Sequence, residues 1–372
     1  MANFDVDDAY LIDLLEKLVN IPSVFPGEKE VMLFIEQELR RIGLPSRRIP
    51  IAPERFNLLS RIGTGSPVLC LNAHADTVPL SGDSVPRARI SESTMFGLGS
   101  ADDKASVASM IAAMKAVVDS GMELRGALDL LISVDEEGDA MGVRTAVDGG
   151  GYTCDFAVTG EPSNLEIVPA HSGIVFLDIV THGRATHGSL PMDGVNAIEM
   201  MCELVDGLRT VVTDYPSHEL IGPPSLNLGM LQGGDRPNRV PDRCEASVDI
   251  RVVPPMTVEE ILEKIARFFD GWKGRAEYVV AKQGNPLNTP LDSILLDALR
   301  STTEAVCGAP SNTVGWRGWT EAEPFQTILG ADAAVLGAGS LKQAHSANEF
   351  VDLEQVKKAA RIYVETARLI LR

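Results

Sequence analysis

Five short segments, spread in order along the 372-residue chain, combine histidine with carboxylate side chains. They are His74-Ala75-Asp76, Asp102-Asp103, Glu136-Glu137, Gly160-Glu161-Pro162 and Ala344-His345-Ser346. Imidazole nitrogen and carboxylate oxygen are both ligands that zinc accepts in proteins. In a site with two metal ions, one carboxylate can bind a different ion through each of its oxygens. The set therefore predicts a pair of metal ions and a further carboxylate that acts as a base on water.

Each segment alone has a plainer interpretation, because a His-x-Asp pair is usually a turn and an acidic run is usually a solvated loop. The acidic run Asp135-Glu136-Glu137, however, directly follows the apolar residues 130–134. Clustered carboxylates beside a buried strand are costly unless a cation compensates their charge. That position favours metal binding over a surface loop.

The remaining residue types suggest how the ligands divide. His74 and His345 are the natural nitrogen ligands, and Glu137 and Glu161 can each complete the ligand set of one ion. Asp76 lies two residues after His74 on an extended segment, so both side chains can face the same way. Asp76 is therefore better placed to orient the His74 ring than to bind a metal ion itself.

The elements that must position these residues alternate between strands and helices. Apolar runs at 68–71, 128–134 and 156–158 predict buried strands, and the Ala-rich segment 103–118 predicts a buried helix. This alternation predicts an α/β fold with a mostly parallel sheet and helices on both faces. Because sites gather beyond the carboxyl ends of such strands, three of the five segments are expected to meet there.

The pattern changes in the middle of the chain. Residues 172–282 combine two helical segments with about four alternating strands, which is typical of a small α+β domain. The βα alternation then returns. We therefore predict that a first domain comprises residues 1–171 and 283–372, and that residues 172–282 form a domain inserted into it.

Composition excludes several classes of protein. The net charge of −19 disfavours nucleic acid as a partner, since phosphate binding needs a basic surface. The five cysteines are scattered without a CxxC pair, which indicates neither disulfides nor a thiolate metal site. No signal-peptide pattern and no apolar run of roughly 18 residues is present, so we expect a cytoplasmic protein that does not bind membranes.

The chain resembles the acetylornithine deacetylase, succinyl-diaminopimelate desuccinylase and aminoacylase family, whose members are dinuclear zinc amidohydrolases related to glutamate carboxypeptidase. The segments that carry the resemblance run nearly from end to end. They are Asn72-Ala73-His74-Ala75-Asp76-Thr77-Val78-Pro79, Phe96-Gly97-Leu98-Gly99-Ser100-Ala101-Asp102, Asp135-Glu136-Glu137, Thr159-Gly160-Glu161-Pro162-Ser163 and Gln343-Ala344-His345. The resemblance implies a zinc-exopeptidase-like catalytic domain, with the inserted domain serving as lid and dimerisation domain.

The resemblance also implies a role for each residue of the site. His74, Asp102 and Glu161 would bind one zinc ion, Asp102, Glu137 and His345 the other, Asp76 would support His74, and Glu136 would be the catalytic base. Cobalt is a possible substitute for zinc. On the residues alone, either Asp102 or Asp103 can bridge the ions. The family often has Asp-Met-Lys-Gly where this chain has Asp102-Asp103-Lys104-Ala105, and the Gly-x-Gly-Ser-Ala lead-in favours Asp102.

The inserted domain carries further segments similar to the family's lid. In Gly183-Arg184-Ala185-Thr186-His187-Gly188-Ser189-Leu190-Pro191, the resemblance implies that His187 reaches the partner subunit's site and holds the oxyanion. It implies likewise that Asn238 and Arg251 bind the substrate carboxylate, a task that suits the forked guanidinium of arginine. A residue serving the other subunit predicts a homodimer formed through the inserted domain.

The substrate is the least determined part of the prediction. The segments 319–325 and 339–345 look most like the acetylornithine deacetylase branch, which implies hydrolysis of the amide of an N-acyl amino acid with a basic side chain. Succinyl-diaminopimelate, acyl-lysine and dipeptide or glutamate-type substrates stay open. Glu321 or Glu323 could recognise a substrate amine or could face solvent. From other classes, a catalytically silent metal-bound binding protein and an acidic scaffold protein are the alternatives.

Overall fold

The computed structural model describes residues 5–79, 87–149, 151–346 and 348–372. It divides into two compact units. The first unit comprises Met1–Pro169, Thr289–Val314 and Thr320–Arg372, and the second comprises Ala170–Asn288 and Gly315–Trp319. The predicted insertion, residues 172–282, falls within the second unit; its role as lid and dimerisation domain stays a prediction.

The elements of the described residues alternate as follows. The strands are β1 (Ser46–Ala52), β2 (Arg55–Gly63), β3 (Val68–His74), β4 (Arg89–Ser91), β5 (Thr94–Phe96), β6 (Ala127–Ser133), β7 (Phe156–Thr159), β8 (Ile167–His171), β9 (Gly173–His182), β10 (Ser225–Gly233), β11 (Arg243–Val252), β12 (Ala276–Gly284), β13 (Leu287–Asn288), β14 (Thr313–Trp316), β15 (Asp332–Val335) and β16 (Phe350–Asp352). The helices are α1 (Asp8–Asn20), α2 (Lys29–Arg41), α3 (Lys104–Ser120), α4 (Met141–Asp148), α5 (Ala197–Thr213), α6 (Val258–Asp270), α7 (Ile294–Cys307), α8 (Ala322–Thr327) and α9 (Leu353–Ile370).

Six strands of the main sheet lie entirely in the first unit, in the order β1-β2-β6-β3-β7-β15, and the sheet continues from β15 to β8. β6, β3, β7 and β15 run parallel to one another, whereas β2 pairs antiparallel with β6 and β1 pairs antiparallel with β2. Every residue of β3 and β6 is buried, as expected for strands that are covered on both faces. The predicted α/β class with a mostly parallel sheet is confirmed.

A buried helix and a small sheet flank the strand ends that matter for the site. α3 is buried along most of its length and ends at Gly121, whose φ of 61° is a left-handed conformation that glycine adopts without a side-chain clash. β4, β5 and β16 form a separate antiparallel sheet in which Phe350 pairs with Phe96. This pairing joins the connection after β15 to the connection before α3.

The second unit has its own sheet and core. Its antiparallel sheet has the order β10-β11-β9-β12, and α5 and α6 pack against it. Buried and less buried residues alternate along β11, so one face of the strand meets the helices. α6 begins with a capping box formed by Thr257 and Glu260.

Among the described residues, none of the helices combines the length and the apolar character that crossing a bilayer requires.

Candidate metal centre

The carboxyl ends of three parallel strands deliver candidate ligands to one edge of the sheet. His74 is the last residue of β3, Glu137 follows β6 and Glu161 follows β7. Asp102 precedes α3, and His345 lies in the connection between β15 and β16. This placement agrees with the expectation that sites form beyond the carboxyl ends of parallel strands.

The side chains form two groups of three that could each hold a metal ion. One group is His74, Asp102 and Glu161, and the other is Asp102, Glu137 and His345. Within each group, one ligand atom of every residue lies within 4.8 Å of the others. Asp102 belongs to both groups, so its carboxylate is the element that they share.

The two oxygens of Asp102 face different histidines. Oδ1 lies 3.1 Å from Nε2 of His74, and Oδ2 lies 3.4 Å from Nε2 of His345. The same nitrogen of His345 lies 3.0 Å from Oε1 of Glu137. A carboxylate with one oxygen directed to each group has the arrangement that a bridging ligand needs.

The His74 ring is held from behind by Asp76. Nδ1 of His74 lies 3.1 Å from the main-chain carbonyl oxygen of Asp76 and 3.5 Å from its Oδ1. The closer contact is to the main chain, so Nδ1–H can donate to that carbonyl and Nε2 is the nitrogen that faces Asp102 and would be available to a metal ion. Neutral imidazole with a free Nε2 is the form that binds metal ions.

The Asp76 carboxylate has a second task that the sequence did not indicate. Its Oδ1 accepts the main-chain N–H of Glu136 at 3.3 Å, and its Oδ2 accepts that of Glu137 at 3.0 Å. Asp76 is fully buried. Asp76 therefore contacts His74 and also holds the turn that carries the predicted base and a candidate ligand.

Several carboxylates of the site lie close together and are shielded from water, which raises their pKa values. Burial raises the pKa of Glu136 well above its ordinary range, with the charges of Glu137 and Asp102 adding to the effect and that of His74 opposing it. Burial, with Asp102 and Glu136, likewise raises the pKa of Glu161.

The two histidines lower the pKa of the carboxylate that lies between them, and their own pKa values are raised in return. Burial alone would raise the pKa of Asp102, but the hydrogen bonds to His345 and His74 hold it below its usual range. Hydrogen bonds to Asp102 and Glu137 raise the pKa of His345 to about 10, although partial burial lowers it. Burial lowers the pKa of His74, yet its contacts with Asp102 and Asp76 raise it well above the ordinary value. Divalent cations would relieve the same clustered negative charge, so the donor set fits a metal centre.

Asp103 stands apart from both groups. It is fully buried, it occupies the N-cap position of α3 without capping the helix through its side chain, and both its oxygens lack a hydrogen-bond partner. Burial raises its pKa well above the ordinary range. Of the two aspartates left open by the residues alone, the geometry brings Asp102 between the histidines.

A turn held by Asp135 supports the acidic run. Asp135 has a φ of 77°, uncommon for a residue other than glycine, and such outliers cluster at functional sites. Its carboxylate accepts the N–H groups of Asp139 and Met141 and bonds to Arg55, which also bonds to Glu28. Sequence reasoning missed this support, because Arg55 comes from β2 and only the tertiary fold brings it near.

Glu321 and Glu323 are both fully buried, which excludes one of the two alternatives left open by the sequence, that they face solvent. Glu321 accepts hydrogen bonds from Asn72, at 3.0 Å, and from Ser133. Burial raises the pKa of Glu321 to about 7, against the lowering effect of His74. Glu323 bonds to Arg144 and Thr327. Both glutamates are therefore tied into the interior of the first unit.

The three predicted lid residues all lie in the second unit. His187 and Asn238 are exposed and on adjacent segments, because the Gly188 N–H donates to the Asn238 carbonyl at 2.7 Å. Nδ1 of His187 lies 2.8 Å from the Ser189 hydroxyl. Arg251, on β11, bonds to Asp249 and to the main-chain carbonyl of Arg317. Their roles toward a substrate stay predictions.

A family model described as "Peptidase family M20/M25/M40" matches residues 70–369. The protein belongs to this family. The resemblance drawn from the motifs is therefore confirmed, and the chain is an M20-family enzyme of the metallopeptidase and amidohydrolase type.

Two curated relatives of this M20 enzyme are similar over most of their length. Acetylornithine deacetylase of Proteus mirabilis is 30% identical over 365 residues, which covers 92% of this chain and 92% of the relative. Acetylornithine deacetylase of Vibrio cholerae is 31% identical over 354 residues, with 90% of each chain covered.

Solved structures share the fold of the M20 enzyme at lower sequence identity. A tripeptidase from Staphylococcus aureus has a TM-score of 0.84 and 19% identity, and the match covers 98% of this chain and 99% of that one. An M20-family metallo-carboxypeptidase from Sulfolobus solfataricus has a TM-score of 0.83 at 16% identity, covering 97% and 99%. A Bacillus subtilis protein described as a dinuclear metal-binding M20 peptidase has a TM-score of 0.72 at 17% identity, covering 98% of each.

Proposed function

We propose that this protein is a dinuclear zinc amidohydrolase that removes the acyl group from an N-acyl amino acid. The observation that carries the proposal is the position of Asp102, whose two oxygens face His74 and His345, one from each candidate ligand group. Glu136 lies close enough to both His74 and Asp102 for their charges to shift its pKa.

The residues present fit a pair of divalent ions. His74, Asp102 and Glu161 would hold one ion, and Asp102, Glu137 and His345 would hold the other. Histidine nitrogen with carboxylate oxygen is a donor set that suits zinc, with cobalt as a possible substitute. When bound, such ions act as Lewis acids that lower the pKa of water and polarise a carbonyl group.

The side chains of the chain itself would carry the proton transfers. Glu136 takes a proton from the attacking water, whose oxygen forms a bond to the amide carbon. The amide C–N bond then breaks, and Glu136 delivers the proton to the departing amine. The products are a carboxylate and a free amino acid. We further propose that His187 donates to the oxyanion from the lid of a second subunit, and that Asn238 and Arg251 bind the carboxylate of the substrate.

The substrate is proposed to be an N-acetyl amino acid with a basic side chain. Support comes from the curated relatives, whose names specify acetylornithine, and from the residue segments 319–325 and 339–345, which look like that branch. Glu323 is an unsuitable partner for a substrate amine, because Arg144 and Thr327 already bond to its carboxylate.

A hydrolysis screen tests the proposal. The purified protein, loaded with zinc or cobalt, is assayed on N-acetylornithine, N-succinyl-diaminopimelate, N-acyl-lysine and simple dipeptides, with Glu136→Ala as the control. Fastest turnover of N-acetylornithine, lost in the control, is the expected result. Fastest turnover of a dipeptide would replace the deacylase proposal with a peptidase. Metal binding without hydrolysis of any of these amides would favour a silent binding protein.

A further inference from the structure

Glu349 is hydrogen-bonded to the loop that carries Asp102, the ligand shared by the two candidate groups. None of the roles described above involves Glu349. Its carboxylate is buried and accepts three main-chain N–H groups from the loop that ends in Asp102. Oε1 accepts from Ala101 at 2.8 Å and from Asp102 itself at 3.0 Å, and Oε2 accepts from Gly99 at 2.9 Å. Burial raises the pKa of Glu349 to about 7, while the three N–H groups favour its ionised form.

The main chain of Glu349 forms two further hydrogen bonds. Its carbonyl accepts the N–H of Gly97 at 3.0 Å, and its own N–H donates to the carbonyl of Ser346 at 3.2 Å. The next residue, Phe350, begins β16 and pairs with Phe96 of β5. Glu349 therefore joins the loop that carries Asp102 to the connection that carries His345.

The loop needs an external support. Gly97 and Gly99 have φ values of 152° and 76°, conformations that glycine permits but does not enforce. Without the carboxylate, the buried N–H groups at Gly99, Ala101 and Asp102 would lose their acceptor, at a substantial cost in free energy. The main chain from which the Asp102 carboxylate projects is therefore held by Glu349.

We propose that Glu349 is a positioning residue of the metal centre: its buried carboxylate orients Asp102 against His345 and thereby sets the affinity for both metal ions. The inference rests on the proposed metal centre and adds to it a residue that does not bind metal itself. Residues of this kind, which hold a ligand in place, typically change metal affinity or activity about 10–100-fold when mutated.

The test compares Glu349→Gln and Glu349→Asp with a matched control. Glutamine replaces one acceptor oxygen with an NH₂ group that opposes a main-chain N–H, whereas aspartate keeps the charge. Glu323→Gln is the control, because Glu323 is also a fully buried glutamate and its carboxylate bonds to Arg144 and Thr327. The full-length chelator-treated proteins are titrated with Co²⁺, and affinity, stoichiometry and the visible spectrum are recorded beside the thermal unfolding of the metal-free forms.

The expected result is that Glu349→Gln binds both ions about 10–100-fold more weakly and gives an altered Co²⁺ spectrum at saturation. Glu349→Asp should recover part of the affinity, and Glu323→Gln should bind as the wild type does even if it unfolds at a lower temperature. The inference is overturned if Glu349→Gln binds Co²⁺ as tightly as the wild type, or if Glu323→Gln weakens binding equally. A wild-type protein that binds no ions would overturn the proposed centre along with this inference.

Discussion

Asp102 is the residue on which both candidate ligand groups depend. Its contacts at 3.1 Å to His74 and 3.4 Å to His345 place one carboxylate oxygen toward each group. Asp103, one position later, is buried with neither oxygen bonded. Substituting each of these two neighbouring aspartates in turn therefore tests the ligand assignment.

We predict that Asp102→Asn lowers the affinity for both metal ions by more than about 10-fold, because the shared ligand loses its charge and one of its two acceptor oxygens. Asp103→Asn, its matched control, should keep the wild-type stoichiometry and affinity, since Asp103 belongs to neither group. Calorimetric titration of the metal-free variants with zinc measures both quantities. The reverse pattern would assign the bridge to Asp103.

Glu136 is predicted to move protons without holding a metal ion. Glu136→Ala should therefore bind both ions normally and lose at least about 100-fold in kcat, the lower end for general acid–base catalysis. Steady-state kinetics on the substrate found by the screen, with metal content measured on the same sample, makes the comparison. Near-normal turnover of the metal-loaded variant would remove Glu136 from the mechanism.

At the residue scale, the sequence indicated the candidate ligands of the proposed centre, but not the contacts that hold them in place. The candidate ligands were visible because histidines and carboxylates follow apolar strands in the chain. The clamp of Asp76 on Glu136 and Glu137, the bond from Arg55 to Asp135 and the contacts of Glu349 were not visible. Each depends on residues that are far apart in sequence, and one sequence carries no periodic signal of such contacts.

At the scale of elements, helices and strands with a strong hydrophobic pattern could be predicted from the sequence, whereas those with a weak pattern could not. The apolar runs predicted β3, β6 and β7, and the Ala-rich segment predicted α3, with shifted ends. β1 was missed because its partly exposed, charged sequence, with Pro50 inside it, lacks the pattern of a buried strand. α8 was missed because it is short and contains Pro324.

The end of β7 is packed too closely against α3 for any side chain at Gly160. A Cβ there would lie 2.2 Å from Cβ of Ser106. We predict that Gly160→Ala destabilises the protein by about 1–3 kcal/mol, as overpacking typically does, and weakens metal binding through the adjacent Glu161. Thermal unfolding and zinc titration measure the two effects.

Removing the obstructing side chain is the control for that prediction. The double variant Gly160→Ala/Ser106→Gly should recover zinc affinity, although glycine inside a helix costs about 0.5–1 kcal/mol on its own. Failure of the second change to restore any affinity would show that the contact between Gly160 and Ser106 does not set the position of Glu161.

At the scale of the whole molecule, the chain forms two units, and the candidate metal ligands all belong to the first. The proposed oxyanion donor His187 and the proposed carboxylate-binding residues Asn238 and Arg251 belong to the second. A change of pattern near residue 172 was visible in the sequence. The homodimer stays a prediction from the family resemblance, because the residue pattern of one chain does not indicate which of its surfaces would contact a second copy.

Mixing two inactive variants tests the proposed sharing of His187 between subunits. Glu136→Ala and His187→Ala are each expected to be nearly inactive. In a mixed dimer, one site would combine an intact Glu136 with an intact His187 from its partner. Random reassortment would then restore about a quarter of wild-type activity in a symmetric dimer. No recovery in dimers shown to have exchanged subunits, or a fully active monomer in sedimentation analysis, would contradict the shared site.

In the proposed centre, Asp102 joins two ligand groups into one dinuclear site. The most direct measurement is the number of zinc ions bound per chain, determined by elemental analysis after reconstitution of the metal-free protein and removal of unbound zinc. We expect about two ions per chain at saturation, and a sharply lower number in Asp102→Asn. A wild-type protein that saturates at one ion or binds none would contradict it.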